Sequence, residues 1–298
     1  MKTRVVPRTE GQLSYSHYGD VVAKNDDLKV ITCDVCGYAH LKTLPTKKEI
    51  DSLYLEDNFY EAGGKAWFAK ERGEYEKGLW NPIFDYQISL LESRYVLDVG
   101  AGAGWFVHRC RATKAFAWAI EPSRRAKDAG FVRGQTYADL DDFAPRMNDT
   151  LVKDNLSVRA CLVLEHILNP LEFLTKLRDF VGHRLMIITP NEFNPLQKRV
   201  GGSWFVSKHH LNYFNPVTLR SLLYEAGFDV VFESVTFPME LFLAIGLDYR
   251  KHPKLGGQCH TLRLRFEKLF GNKIFVLYQK LYRKYGWGRE LVFVAEKE

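Results

Sequence analysis

The stretch Val96-Leu97-Asp98-Val99-Gly100-Ala101-Gly102-Ala103-Gly104-Trp105-Phe106 constrains this chain more than any other. Its first four residues show little polar alternation, as a strand buried on both faces requires. Glycine at every second position then permits a tight turn and a close backbone approach to a ligand. Trp105 and Phe106 open a helix whose first N–H groups lack intrahelical partners and suit an anionic or polar ligand. A second run, Phe116-Ala117-Trp118-Ala119-Ile120, is followed by Glu121, which stands 23 residues after Asp98. A carboxylate there can accept both hydroxyls of a ribose.

The same pattern continues along the chain. Ala160-Cys161-Leu162-Val163, Leu185-Met186-Ile187-Ile188 and Phe228 to Val235 read as further strands, separated by helix-length segments. That alternation predicts an α/β fold with a mostly parallel sheet covered on both faces. Asn215, Pro216 and Gly227 punctuate a helix between them. A last strand, Leu291 to Ala295, comes about fifty-five residues later. Upstream, Leu28 to Thr32 reads as a strand leading into Cys33, Thr46 and Glu49 form a capping box, and Ile83, Tyr86, Leu90 and Leu91 recur at helical spacing. The expected organisation is a small module over residues 1–60, a helical bridge over 61–92 and a main domain over 93–298. A basic insertion occupies about 236–290.

A dinucleotide fingerprint would place glycine at the sixth position of Gly-x-Gly-x-x-Gly, where Trp105 stands instead. The motif instead resembles the first motif of class I S-adenosylmethionine-dependent methyltransferases. Val163-Leu164-Glu165-His166-Ile167-Leu168-Asn169-Pro170, Thr189-Pro190-Asn191 and His210-Leu211-Asn212-Tyr213-Phe214 extend the likeness over about residues 93–235. The resemblance implies a Rossmann-like sheet with an antiparallel last strand inserted between the fifth and sixth. It implies S-adenosylmethionine as cofactor, with Asp98, Gly100, Gly102 and Gly104 at its amino acid part and Glu121 at its ribose. The implied acceptor is a small molecule, such as a sugar or glycan precursor.

His166 follows a buried strand at the carboxyl edge of the sheet, where ligands bind in such folds, and an imidazole suits proton removal. It is the candidate base, against a purely loop-shaping role. Glu165 and His210 are candidate substrate contacts. His209 and His210 are adjacent, so in an extended segment only one of them could enter the site. No Asn-Pro-Pro-Tyr motif follows the fourth strand, which argues against methylation of an adenine or glutamine amide nitrogen.

Cys33-Asp34-Val35-Cys36-Gly37 has the spacing that lets two thiolates hold one zinc. With His17 and His40 it could form a closed tetrahedral set, which would be structural. Two free thiols or a redox pair are the alternatives. The stretch from Cys33 through Pro45 to Leu53-Tyr54 resembles a zinc-binding module that precedes some methyltransferases of this class. The second upstream cysteine pair of those modules is missing here.

Five cysteines in 298 residues make no disulfide scaffold and fit a reducing cytoplasmic setting. The best apolar run, Met239 to Leu247, falls far short of a membrane span. The net charge of +6 is uneven: Tyr249 to Arg289 holds eleven Lys or Arg against the single acid Glu267. Such a segment can attract nucleic acid, an anionic membrane or a phosphorylated substrate. Arg263 and Arg265 could hold an anionic group, whereas Leu262, Phe266, Leu269 and Phe270 recur at helical spacing and are expected to pack inward. Two other functions compete: an RNA methyltransferase that grips phosphates through the insertion, and a non-catalytic module that retains the cofactor pocket. A dehydrogenase is disfavoured by Trp105.

Overall fold

The computed structural model describes residues 17–46, 48–50, 52, 64–123 and 136–298. Leu53-Tyr54 lies outside the described residues. The main sheet contains β4 (Tyr95–Val99), β5 (Phe116–Ile120), β6 (Thr136–Tyr137), β7 (Leu156–Cys161), β8 (Leu185–Pro190), β10 (Phe228–Val235) and β11 (Glu290–Lys297). Their order is β10-β11-β8-β7-β4-β5-β6. From β8 to β6 every pairing is parallel, and β11 runs antiparallel to both β8 and β10. This is the Rossmann-like methyltransferase sheet, with the last strand inserted where expected.

Alternation of side chains puts Leu97 and Val99 in one apolar cluster and Val96 in another, so the sheet is buried on both faces. Helix α1 (Gly64–Glu76), α2 (Asn81–Leu91) and α3 (Trp105–Ala112) contribute residues to the Val96 face. On the other face lie α4 (Pro170–Arg178) and α5 (Pro216–Glu225). Asn215 and Thr218 close a capping box on α5, which satisfies N–H groups that a helix start leaves open.

Two expectations need correction. The strand predicted from Ala160 begins at Leu156, because Ser157 and Arg159 lie inside it and interrupt the apolar run. Both polar groups are paired within the fold: Ser157 Oγ donates to the Leu91 carbonyl at 2.9 Å, and Arg159 reaches Asp98. The strand stops before Val163 because Leu162 turns the chain with φ of 55°.

The second correction concerns the basic insertion, which forms α6 (Pro253–Phe270) and α7 (Asn272–Tyr285). Leu262, Phe266, Leu269 and Phe270 face outward. Arg263 and Glu267 instead are buried as an ion pair at 3.3 Å, with Arg263 also 5.9 Å from the Trp80 ring centre. A partnered charge pair has thus displaced the apolar stripe from the interior, and Arg263 is not presented to a ligand.

The small sheet draws strands from widely separated parts of the described chain. β1 (Gly19–Asn25), β2 (Leu28–Cys33) and β3 (Ala39–Leu41) pair in sequence, and the fourth strand is β9 (Asn212–Tyr213). A small cluster seals the join, with Val30 and Leu41 packed among Val206, Leu211 and Tyr213. Sequence separation concealed this pairing.

Candidate active site

At the end of β4 the chain turns through Gly100, Gly102 and Gly104, with φ of 71°, 54° and 77°. These are left-handed values that strain any residue carrying a Cβ. The N–H groups of Gly100 and Ala101 both donate to the Ile120 carbonyl, at 2.8 and 3.0 Å, which ties the turn to the end of β5. A Cβ on Gly100 would stand 2.4 Å from Val163 Cγ2, whereas the position of a Cβ on Gly102 opens into space. The turn is therefore closed on one side and open on the other, as a backbone cradle for a ligand must be.

Glu121 sits beside it. One carboxylate oxygen accepts the Gly102 N–H at 2.7 Å and the other accepts the Ser123 N–H at 2.8 Å. These bonds fix the carboxylate in orientation at the strand end. Asp98 is placed differently: it is 1% exposed and its Oδ1 meets Arg159 Nη1 at 2.6 Å. Arg159 also donates to Gln87 Oε1 and lies over the Phe106 ring at 4.1 Å. Burial pulls the Arg159 pKa down, but Asp98 more than offsets it and the guanidinium stays charged.

Trp105 marks the other wall. Its ring stacks on Tyr75 at 5.0 Å, and Nε1 donates to Glu71 at 3.2 Å, so α1 packs against the glycine turn. Burial raises the Glu71 carboxyl to about 7 despite that hydrogen bond. Neither Glu71 nor Arg159 was singled out from the sequence. Arg159 could have been found as a charge within a strand adjoining Asp98, whereas Glu71 carries no motif.

Across the turn, a short 3-10 segment (Leu164–His166) follows β7. His166 Nδ1 lies 2.7 Å from the His209 carbonyl, which can only accept, so the ring carries its proton on Nδ1 and its lone pair on Nε2. Nε2 is 3.8 Å from Glu165 Oε1, and the His210 ring is 5.1 Å away, edge-on. Burial lowers the His166 pKa and takes His210 down to about 3, so both imidazoles are neutral near neutral pH. Glu165 is fully buried, accepts from Thr189 Oγ1 at 3.0 Å, and is raised to about 8 by burial. It therefore faces the protein interior. The Leu211 N–H donates to the Glu165 carbonyl, and Asn212 Nδ2 donates to Ile167, which holds the His166 and His210 segments together.

The same segment meets β3, next to the cysteine pair, since the Leu41 N–H donates to the Leu211 carbonyl. His17 Nδ1 is 3.4 Å from Cys33 Sγ and 3.2 Å from Cys36 Sγ. The potential ligand atoms of His17, Cys33, Cys36 and His40 all lie within 4.8 Å of one another. Hydrogen bonds, above all from the Cys36 thiol, hold Cys33 down at about 2 against the effect of burial. A low-pKa thiol among imidazoles is a donor set that suits zinc.

A seven-stranded sheet of this order, with a glycine turn after its first strand and a carboxylate after its second, defines a class I methyltransferase. A model of the methyltransferase-domain family matches residues 70–233, over half the chain, so this protein belongs to that family and is an enzyme that uses S-adenosylmethionine. Among solved structures it is similar to an S-adenosylmethionine-dependent methyltransferase from Archaeoglobus fulgidus, with 16% identity over 75% of this chain and 94% of that one, and a TM-score of 0.49. One from Mesorhizobium loti shares 15% identity over 74% of this chain and 98% of that one, with a TM-score of 0.42. The magnesium protoporphyrin IX methyltransferase from Synechocystis shares 12% identity over 81% and 97%, with a TM-score of 0.44. No curated protein matches the sequence. Among the described residues no helix is long and apolar enough to cross a membrane.

Proposed function

We propose that the enzyme methylates a hydroxyl or similar protic group of a small-molecule acceptor, such as a sugar or glycan precursor, with His166 as the general base. The observation that carries this reading is the fixed imidazole tautomer: the His209 carbonyl at 2.7 Å orients the ring and leaves the basic nitrogen at Nε2. When bound, S-adenosylmethionine supplies a methyl group on a positively charged sulfur, ready for in-line displacement. The backbone of Gly100 to Gly104 would hold its amino acid part, and Glu121 its ribose. Asp98 would act from behind the turn through Arg159, because its carboxylate is buried. His210 would contact the acceptor, and Glu165, buried against Thr189, would position His166.

The four amino-terminal ligands, His17, Cys33, Cys36 and His40, would hold a structural zinc, since all four positions are filled by protein. In this division residues 1–60 form the zinc module, 61–92 the bridge and 93–298 the catalytic domain. The test is turnover on a panel of sugars and nucleotide-linked sugars, with cofactor binding followed by calorimetry. His166→Ala should leave cofactor affinity intact and lower kcat by about 10²–10⁴-fold. Near-normal turnover by that variant would reject His166 as the base.

A further inference from the structure

The outward face of α6 and α7 remains unused by the reading above. Leu262, Phe266, Leu269, Phe270, Val276 and Leu277 are all exposed, Leu269 at 77% and Leu262 at 57%. Soluble surfaces carry scattered apolar residues, but six large ones on two consecutive helices form an unusual concentration. On α6, Leu262, Phe266 and Leu269 follow helical spacing, and Phe266 packs against Phe270 with ring centres 4.6 Å apart. On α7 the same spacing joins Lys273, Val276, Leu277, Lys280 and Lys284. A hydrogen bond from Tyr278 Oη to Glu267 holds the second helix to the first.

The exposed charges carried by these two helices have one sign. Arg265, Lys273, Lys280, Arg283 and Lys284 are exposed, while Glu267, the only acid between Tyr249 and Arg289, is buried. We propose that α6 and α7 form a peripheral docking surface for an anionic lipid bilayer, with the Leu and Phe side chains entering the interfacial region and the cations meeting lipid headgroups. The combination decides among occupants. A second copy of the chain would bring like charges together, and aliphatic Leu269, Val276 and Leu277 have nothing to offer a phosphate backbone of RNA. An anionic bilayer satisfies both the apolar tips and the cations. Docking of this kind would bring the enzyme to a membrane without any spanning helix.

The test is co-sedimentation of the full-length protein with vesicles of phosphatidylcholine containing a quarter phosphatidylglycerol, compared with pure phosphatidylcholine. Binding to the anionic vesicles is expected, and it should weaken at least tenfold when salt is raised from 0.05 to about 0.5 M, where the Debye length shrinks to a few ångströms. Leu269→Asp and, separately, Lys273→Glu/Lys280→Glu should each lower vesicle affinity at least tenfold. Circular dichroism and cofactor calorimetry serve as controls for folding, and Leu269→Ser replaces Leu269→Asp if the latter is misfolded. Equal behaviour with both vesicle types, or no sedimentation, would overturn the proposal. A dimer that light scattering shows to dissociate in Leu269→Asp without vesicles, or an RNA mobility shift abolished by the Lys substitutions alone, would overturn it in favour of that partner.

Discussion

Arg159→Met is the sharpest probe of how the cofactor turn is supported. The substitution keeps the aliphatic volume beneath the sheet and removes a guanidinium that meets Asp98 at 2.6 Å, bonds Gln87 and covers the Phe106 ring. Asp98, at 1% exposure and with burial already raising its pKa, is then left without its cation. Removing one partner of a buried ion pair costs about 3–5 kcal/mol, because the stranded charge has lost its compensation. Spread over a 298-residue chain with about 2 cal/mol/K of unfolding entropy per residue, that is a fall of roughly 5–8 °C in Tm. Asp98→Asn/Arg159→Met removes both charges and should recover most of the loss. Thermal and urea unfolding of the wild type, both single variants and the double variant give the coupling energy, expected to be at least about 2 kcal/mol. Acidification should shrink the cost of Arg159→Met, since Asp98 becomes neutral by taking a proton. A single-variant loss below about 1 kcal/mol at neutral pH, or additivity in the cycle, would refute the idea that the pair braces this turn.

Other outcomes follow from the same geometry. Glu121→Ala should weaken S-adenosylmethionine binding at least tenfold by calorimetry, since the carboxylate held by Gly102 and Ser123 is lost. Gly100→Ala should destabilise the protein and impair cofactor binding, because its Cβ would stand 2.4 Å from Val163 at a φ of 71°. Chelation should release about one zinc per chain and lower Tm, and Cys33→Ser should abolish zinc retention, as metal analysis would read. The turnover rate should rise with pH through a value below 6.5 and then level off, because burial lowers the His166 pKa and only the neutral ring accepts a proton. For Glu165 the sign is opposite: its folded pKa is raised from 4.5 to about 8, so its contribution is fully present below 4.5 and is lost as pH rises toward 8. Glu165→Gln should flatten that part of the stability profile in unfolding experiments.

Much of the fold could be read because buried parallel strands announce themselves. The runs at Val96 and Phe116 fall where strands form, as does the antiparallel strand at the carboxyl end. The strand at Leu156 was mislocated because Arg159 makes its sequence look exposed, and only the facing Asp98 reveals that this charge is internal. The helix at Leu262 misled for the complementary reason. Helical spacing identifies an apolar stripe but not the direction in which it points, and the buried Arg263 and Glu267 hold the inward side. At the site, Gly100 to Gly104 and Glu121 carry their geometry in their spacing. The orientation of His166 depends on a backbone carbonyl 43 residues away, which no local pattern encodes.

The pairing of β3 with β9 also bears on how the protein is made. Ala39 meets Tyr213, so the first three strands leave the ribosome long before their fourth partner. At about 5–20 residues per second, the intervening chain takes roughly 10–35 s to synthesise. Through that interval the β3 edge lacks its native neighbour and is open to pairing with other strands. Any attempt to transplant this segment onto another enzyme must therefore carry residues 205–214 with it, or supply a substitute edge.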